Sequence, residues 1–350
     1  MTVVDATPDA GLLLGYGSVG RLHARALAKI APRLIIVDAD ARSRERAAQD
    51  HASATIAADL CGAARALPSP GDVLAVIATW GPSHAPLFHA LVDGGIRRIL
   101  CEKPLGTSVS AAVAMVQRAA DTGTALTSHH YFRGSGLIRA IERLADDLGL
   151  GGPIAIVANG GAACLATNGL HWVDLGAVLF GCGPDAVVST SHDDRMNPRS
   201  PELGFYGGSA TWTFGGGREL TLVFSNASSV YPMTHIHYRD AVVTLDYDYD
   251  VAVYRRNAAD VARFPAVTRT GSAQKVAFRG QLPGVLDGLA ALTSGLARLC
   301  TGDVSTSPPE AAVVAVSGTI GALASGRDGR RIALPIAAES AYGREEWPIS

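Results

Sequence analysis

Short apolar segments alternate with segments of helical periodicity over the first 130 residues. Apolar runs of strand length stand at Gly11–Leu14, Leu34–Val37, Asp72–Ala78, Arg98–Cys101 and Ala125–Ser128. Between them, the spacing of apolar residues predicts helices at Ser18–Ile30, Asp59–Ala66, His84–Gly94 and Val109–Thr122. Strands that alternate with helices are typical of βαβ units. The pattern therefore predicts an N-terminal α/β domain with a parallel sheet.

The pattern changes after residue 130, where alternation with period two becomes dominant. One amphipathic helix is predicted at Gly134–Leu148, and later helices at Gly284–Thr301 and Pro309–Gly326. Predicted strands lie at Ile154–Ala158, Gly208–Phe214, Glu219–Ser225, Thr234–Tyr238, Ala241–Asp246 and Val251–Arg255. We therefore predict a C-terminal α+β domain with a large, mostly antiparallel sheet. The expected domains are 1–130 and 131–350, and the late helices are free to pack back on the first domain.

A glycine motif follows the first predicted strand. The segment Gly15-Tyr16-Gly17-Ser18-Val19-Gly20 fits G-x-G-x-x-G between a strand and a helix. In such motifs the first glycine permits a tight turn, the second lets the backbone approach a pyrophosphate, and the third allows close packing of helix on strand. The free N–H groups of the helix N-terminus attract phosphate. The motif predicts a Rossmann fold that binds a dinucleotide.

Asp38 ends the second predicted strand. A carboxylate at this position accepts hydrogen bonds from the ribose hydroxyls of NAD and repels the 2′-phosphate of NADP. We expect NAD as the cofactor. Arg42 and Arg44 follow closely and leave NADP open, since either guanidinium can pair with that phosphate.

Composition narrows the class of protein. The 350 residues carry a formal net charge of −2, which gives no basic surplus for nucleic acid. No apolar stretch is long enough to span a membrane, and no export signal is evident. The five cysteines form no C-x-x-C pair, which disfavours a disulfide framework and indicates a reducing, cytoplasmic setting. Lysine occurs only at positions 29, 103 and 275.

Two further segments resemble the Gfo/Idh/MocA family of oxidoreductases, which includes glucose–fructose oxidoreductase and inositol dehydrogenase. Cys101–Gly106 (CEKPLG) is similar to the E-K-P motif of that family, and Gly169–Gly181 (GLHWVDLGAVLFG) to its G-x-H-x-x-D stretch. The resemblance extends over nearly the whole chain. It implies a cofactor-binding loop and motif comprising Thr79, Trp80, His84, Glu102 and Lys103.

The resemblance also implies catalytic residues. Lys103 and His171 are the implied catalytic pair, and both side chains suit the transfer of a hydroxyl proton. Asp174 lies three residues after His171 on the same helix face, where it can orient the imidazole or bind substrate. The remaining candidates for substrate binding are Thr167, Asn168, His130 and Arg133. Thr167 stands where the family usually has an aspartate, which puts the usual Lys/Asp/His triad in doubt.

The leading hypothesis is an NAD(H)-dependent oxidoreductase that acts on a secondary alcohol or ketone of a sugar, a cyclitol or a sugar-derived, including nucleotide-linked, substrate. One alternative is a lyase or glycosidase that uses transient oxidation by NAD. Another is a catalytically silent NAD-binding sensor. No metal site is predicted, and a homo-oligomer, either dimer or tetramer, is expected because family members commonly pair their sheets.

Overall fold

A computed structural model describes residues 7–161, 163–193, 197, 200–225, 227–246, 248–263 and 274–350. The chain divides into two compact units. The first comprises Met1–Gly136, Leu286–Val316 and Ala337–Ser350, and the second comprises Leu137–Val285 and Ser317–Ile336. The predicted loop Asp193–Gly204 lies partly outside the described residues. In the described ranges, no helix is both long and apolar enough to cross a membrane.

The first unit contains a parallel sheet. Its strands are β1 (Ala10–Leu14), β2 (Leu34–Val37), β3 (Thr55–Ala57), β4 (Val73–Ile77), β5 (Arg98–Cys101) and β6 (Ala125–Ser128). The spatial order is β3-β2-β1-β4-β5-β6, and every pair of neighbours runs parallel. All residues of β1 and β4 are buried, as expected for strands covered on both faces. This order is that of a Rossmann fold, and it confirms the predicted fold class.

Helices cover this sheet. They are α1 (Ser18–Leu27), α2 (Ala41–Asp50), α3 (Leu60–Ala63), α4 (His84–Asp93), α5 (Val109–Thr122) and α6 (Tyr131–Gly134). Two later helices belong to the same unit, α10 (Gly288–Cys300) and α12 (Ala341–Arg344). The apolar face of α10 places Leu292, Leu296 and Leu299 in one buried cluster with Leu13 and Leu27. The first unit therefore includes chain segments that are far in sequence from its N-terminal part.

The second unit is built on a large sheet. Its main strands are β7 (Ala155–Gly161), β8 (Pro184–Ser189), β10 (Tyr206–Phe214), β11 (Arg218–Ser225), β12 (Met233–His237), β13 (Ala241–Leu245), β14 (Asp250–Arg255) and β15 (Lys275–Gln281). The short strand β9 (His192–Asp193) pairs with β10, and β16 (Ile332–Ala333) pairs with β8. Strands β7 and β11 run parallel, and the other recorded pairs are antiparallel. The predicted mostly antiparallel sheet is confirmed.

One face of this sheet is buried against helices. The strands alternate buried and partly exposed residues, as a sheet covered on one side requires. The helices of this unit are α7 (Leu137–Asp147), α8 (Gly169–Phe180), α9 (Ala258–Ala262) and the part of α11 (Pro309–Asp328) that follows Val316. Trp212 of β10 is buried and donates its indole N–H to the carbonyl oxygen of Gly318 at 2.9 Å.

The helix predicted at Gly134–Leu148 is present as α7 (Leu137–Asp147), but it begins three residues later than predicted. Gly136 has a φ of 77°, which lies in the left-handed region and ends helical continuity. The short helix α6 therefore ends at Gly134, and α7 begins at Leu137.

Candidate functional site

The glycine loop after β1 has the tight geometry that its sequence predicts. Gly15 has a φ of 93°, and a Cβ atom on it would lie 2.6 Å from the carbonyl oxygen of Ala78. A Cβ atom on Gly20 would lie 2.1 Å from the carbonyl oxygen of Gly15. Both positions therefore require glycine, because the turn and the start of α1 are packed against neighbouring backbone.

Gly17 differs from the other two glycines. A Cβ atom on Gly17 would meet nothing within 4 Å. Gly17 is the N-cap of α1 and makes no side-chain cap, and Ser18 and Val19 behind it are exposed. The first N–H groups of a helix have no partner within the helix and carry a partial positive charge. The open space and these donors fit the pyrophosphate of a dinucleotide.

Asp38 lies beside the glycine loop, at the end of β2. Its Oδ2 accepts the backbone N–H of Tyr16 at 2.6 Å, and its Oδ1 accepts the N–H of Asp40 at 2.8 Å. A carboxylate offers about four acceptor positions, so capacity for ribose hydroxyls remains. Arg44 donates to the carbonyl oxygens of Asp38 and Ala39, at 3.0 and 2.8 Å, and its guanidinium is thereby turned to the protein backbone.

The side chain of Tyr16 connects the glycine loop to a neighbouring helix. It is buried, and its hydroxyl donates to Asp50 Oδ2 at 2.8 Å. Burial, followed by the Asp50 carboxylate, raises the pKa of Tyr16. Tyr16 therefore serves the loop through its backbone N–H, while its ring anchors the loop to the end of α2.

The loop after β4 carries three of the predicted cofactor residues. Trp80 is 43% exposed, and Ser83 Oγ donates to Thr79 Oγ1 at 2.7 Å. His84 is fully buried, with Nδ1 2.7 Å from the carbonyl oxygen of Pro104 and Nε2 3.1 Å from that of Thr79. Burial lowers the pKa of His84, so its single N–H donates to the closer carbonyl. This imidazole joins the β4 loop to the loop that carries Lys103.

Glu102 and Lys103 directly follow β5. Glu102 is 5% exposed, and its Oε2 accepts the backbone N–H of Lys103 at 3.2 Å. Its Oε1 lies 2.7 Å from Nε2 of His23, a fully buried residue of α1 that sequence reasoning missed. Burial alone would raise the pKa of Glu102, but the hydrogen bond from His23 and nearby positive charge hold it well below its usual range.

The segment after β6 places two histidines beside this site. His130 is 2% exposed, and Arg133 is partly exposed on α6. The ring of His129 lies 6.0 Å from that of His23 in an edge-to-face arrangement. Burial lowers the pKa of His129 to about 4, and His129 is therefore neutral near pH 7.

The second unit holds the other predicted residues. His171 and Asp174 lie three residues apart on α8, where His171 is partly exposed and Asp174 is 1% exposed. Thr167 is buried just before this helix. Asn168 Oδ1 accepts the N–H of Cys164 at 3.0 Å, which closes the turn that leads into α8. The four residues therefore cluster at the N-terminal end of one helix.

A C-terminal segment also contacts the loops of the first unit. The carboxylate of Glu346 accepts hydrogen bonds from Thr107 Oγ1 and, at 2.8 Å, from Ser108 Oγ. Ser350 Oγ accepts the N–H of Gly81 at 3.2 Å. These contacts hold the residues that follow Lys103-Pro104 and Trp80. No sequence signal points to them, since 238 residues separate Ser108 from Glu346.

Comparison with known proteins identifies relatives of part of the chain. A family model described as an oxidoreductase family with an NAD-binding Rossmann fold matches residues 11–130. D-Apiose dehydrogenase from Paraburkholderia graminis is 30% identical over 199 residues, which cover 52% of each protein. Inositol 2-dehydrogenase 3 from Saccharopolyspora erythraea is 28% identical over 150 residues, or 41% of this chain and 42% of that protein. The chain thus matches about half the length of these curated relatives or less.

Solved structures share the fold over most of the chain. One is an oxidoreductase from Agrobacterium radiobacter, solved with NAD+, L-tartaric acid and magnesium. It aligns with a TM-score of 0.70 over 93% of this chain and 98% of its own, at 18% identity. A levoglucosan dehydrogenase in complex with NADH has the same TM-score over 94% of this chain and 99% of its own, at 16% identity. Together with the match to the family model, the glycine loop and the strand order show that residues 11–130 are similar to the NAD-binding Rossmann domain of the Gfo/Idh/MocA oxidoreductases.

Proposed function

We propose that this protein is an NAD(H)-dependent dehydrogenase or reductase that acts on a secondary alcohol or ketone of a sugar-like substrate. The proposed class includes cyclitols, free sugars and sugar-derived molecules. Relatives named inositol 2-dehydrogenase and D-apiose dehydrogenase support this class. NAD is proposed over NADP because the Asp38 carboxylate would repel a 2′-phosphate, and because the Arg44 guanidinium already binds backbone carbonyls.

The position of Lys103 carries the proposal. Lys103 follows β5 at the carboxyl edge of the parallel sheet, and the glycine loop follows β1 at the same edge. Only β4 lies between these strands, so β1 and β5 are about 10 Å apart. Ligands of such sheets bind at this edge, where the strand order reverses. An amine thus stands on the same edge as the open cradle beside Gly17.

The chemistry follows from the side chains. Bound NAD supplies the hydride acceptor. Oxidation of an alcohol breaks its C–H and O–H bonds and forms C=O, so one group must take the hydroxyl proton. Lys103 can take it as a free amine, and His171 as a neutral imidazole. We propose that Lys103 and His171 share this task, and that Asp174 orients His171.

The remaining predicted residues are proposed to hold substrate. Thr167 and Asn168 stand beside the start of α8, and a threonine offers one donor and two acceptors to a substrate hydroxyl. Thr167 has no negative charge, which favours a substrate or product that bears an acidic group over a wholly neutral polyol. His130 and Arg133, which belong to the first unit, are also proposed to bind substrate. Arg133 would supply a positive charge.

The test is turnover by the full-length chain. Cyclitols, sugars, sugar acids and nucleotide-linked sugars are supplied with NAD, and the matching ketones with NADH, while NADH absorbance is followed. We expect turnover with at least one of them. We also expect Lys103→Ala to lower kcat by about 10²-fold or more while NADH affinity, measured by fluorescence titration, is kept. A parallel titration with NADPH tests the cofactor preference.

Other outcomes of this experiment would favour one of the alternative functions. Product without net NADH would indicate a lyase or glycosidase. Tight NADH binding with no product from any class would indicate a sensor. Full activity of the Lys103→Ala variant would remove the proposed mechanism.

Two properties complete the proposal. We propose a homo-oligomer formed through the open face of the second unit's sheet. We also propose a cytoplasmic setting, which is supported by the five cysteines, all of them free thiols.

A further inference from the structure

A buried histidine lies behind the proposed catalytic lysine. His23 is on α1, the helix whose N-terminus forms the glycine loop, and it is 0% exposed. Its Nε2 lies 2.7 Å from Glu102 Oε1. Its Nδ1 has no hydrogen-bond partner among the described residues. The imidazole is therefore best satisfied as the neutral tautomer that donates from Nε2, because a proton on Nδ1 would be a buried donor without an acceptor.

Glu102 connects this histidine to Lys103. One carboxylate oxygen accepts from His23, and the other accepts the backbone N–H of Lys103 at 3.2 Å. The carboxylate is buried, so it depends on these donors for its charge. The two carboxylate oxygens of Glu102 therefore hold helix α1, through His23, and the backbone of Lys103.

We propose that His23 is a positioning residue that acts on Lys103 through Glu102. The proposal rests on the proposed function, in which Lys103 and His171 share the role of proton acceptor. His23 holds the carboxylate in one orientation and in its ionised form. The carboxylate then holds the Lys103 backbone and places a negative charge next to the amine. The same helix presents the phosphate cradle, and therefore the pair fixes the lysine relative to the cofactor site within the first unit.

Removing the donor should disturb both functions of Glu102. In His23→Leu the buried carboxylate loses its main partner, so it is expected to become protonated near neutral pH or to rotate away. Lys103 then loses a fixed backbone and a nearby negative charge. In His23→Gln the side-chain amide reaches the same distance as Nε2 and can donate to Glu102. The glutamine variant should therefore recover what the leucine variant loses.

Because the chain has few lysines, the titration of the Lys103 amine can be followed directly, without measuring enzyme activity. Only Lys29, Lys103 and Lys275 are present. Reductive methylation with isotope-labelled formaldehyde would give one NMR resonance for each lysine and one for the N-terminus, and the Lys103→Arg variant identifies the signal of Lys103. The titration midpoint of that signal should fall by more than about half a pH unit in His23→Leu and stay close to wild type in His23→Gln.

Kinetics supply the second readout. His23→Leu is expected to lower kcat by about tenfold or more with little change in the KM for NAD, and His23→Gln should restore most of it. Leu27→Ala is the matched control, because Leu27 is a fully buried residue of the same helix that packs on Gly11. It should lower the melting temperature and leave both the Lys103 signal and kcat unchanged.

Three results would overturn the proposal: a Lys103 titration that is the same in His23→Leu as in wild type, a failure of glutamine to restore it, or an equal change in Leu27→Ala. If the wild-type protein turns over no alcohol or ketone, the proposed function fails. The NMR titration still decides the role of His23 in that case.

Discussion

Gly17 is the glycine of the loop whose missing side chain leaves open space. Gly15 and Gly20 lack side chains because backbone atoms fill the space. At Gly17 no protein atom lies within 4 Å of that position, and we propose that a bound dinucleotide uses this space.

This difference predicts the effect of Gly17→Ala. The methyl group meets no protein atom, so the free energy of unfolding should fall by about 1 kcal/mol or less, the usual difference between glycine and alanine at an N-cap. It would occupy the space proposed for the pyrophosphate, so NADH affinity should fall by about tenfold or more. Fluorescence titration and thermal melting measure the two effects.

Gly71→Ala is the matched control, because a Cβ atom on Gly71 also meets nothing within 4 Å and Gly71 lies in a short turn far along the chain. It should leave NADH affinity unchanged. Wild-type affinity in Gly17→Ala would show that the cradle is not where the dinucleotide binds.

The lowered pKa of His129 predicts how the free energy of unfolding depends on pH. Its pKa is about 4 in the folded protein and about 6.5 when unfolded, so the unfolded chain binds more protons between these values. The contribution is complete above pH 6.5 and is lost as the pH falls towards 4. About 2 kcal/mol of it is lost by pH 5. The lowered pKa of His84 acts in the same direction, and so does that of Glu102 at still lower pH.

The measurement is the melting temperature as a function of pH. It should decline below about pH 6.5, and His129→Asn, which removes one titrating group, should decline less steeply. Parallel curves for the two proteins would mean that His129 is not protonated on unfolding.

Some residues of the candidate site could be predicted from the sequence, and others could not. The glycines, Asp38 and Lys103 stand in motifs whose spacing has a local physical cause, so their positions at strand ends could be predicted. His23 and Glu346 could not, because their partners are 79 and 238 or more residues away. Their hydrogen bonds exist only after the chain has folded, and no local pattern records them.

At the scale of elements, the start of α5 depends on a distant segment. Ser108 is the N-cap of α5 and its Oγ accepts the N–H of Ala111 at 3.2 Å. The same hydroxyl donates to Glu346 Oε1 at 2.8 Å. The carboxylate therefore places negative charge near the positive end of a 14-residue helix.

The substitution Glu346→Gln should destabilise the N-terminus of α5. The neutral amide gives weaker hydrogen bonds and no charge, and the expected loss is about 1 kcal/mol because Glu346 is exposed. Hydrogen exchange should become faster in the peptide that covers Leu105–Ser110. Glu339→Gln makes the same change at an exposed residue nearby and should have no such effect. Equal exchange in all three proteins would count against the anchoring role of Glu346.

Elements with strong periodicity were predictable, and weakly patterned ones were not. The strands of the first sheet have apolar runs that leave little choice of structure. Helix α2 (ARSRERAAQD) was missed because Ala47 is its one buried residue, which leaves almost no apolar pattern. Strand β8 was missed as well, although four of its six residues are buried: Pro184, Ala186, Val187 and Ser189. Short strands bounded by loops carry too few residues for a period to show.

At the scale of the whole molecule, the sheet of the second unit has a partly exposed face with an uncharged central row, while Arg279 continues that row at its end and Glu219 lies on the same face. One cross-strand row on this face joins Val188, Thr211, Thr221, Val157, His235, Thr244 and Ala252. Burial and nearby His237 lower the pKa of His235, which keeps the row uncharged near neutral pH. An uncharged central row suits contact with a second copy of the chain about a twofold axis.

Thr221→Arg tests this face. Two arginines brought together at the axis would repel each other and remain unpaired, so the oligomer should dissociate. Light scattering coupled to size exclusion should show a dimer or tetramer for the wild type and a monomer for Thr221→Arg. Ala114→Arg adds the same charge on the exposed surface of α5 and should keep the wild-type mass. A monomeric wild type would remove the proposal.

The late helix α10 has a consequence for how the chain is synthesised. Leu292, Leu296 and Leu299 share a buried cluster with Leu13 and Leu27, but the ribosome makes them 265 to 286 residues later. The nascent N-terminal part must therefore wait with an uncovered apolar surface while all of Leu137–Val285 is translated. An isolated fragment ending near Gly136 would keep that surface open permanently and should aggregate, so NAD-binding studies need the uncut polypeptide.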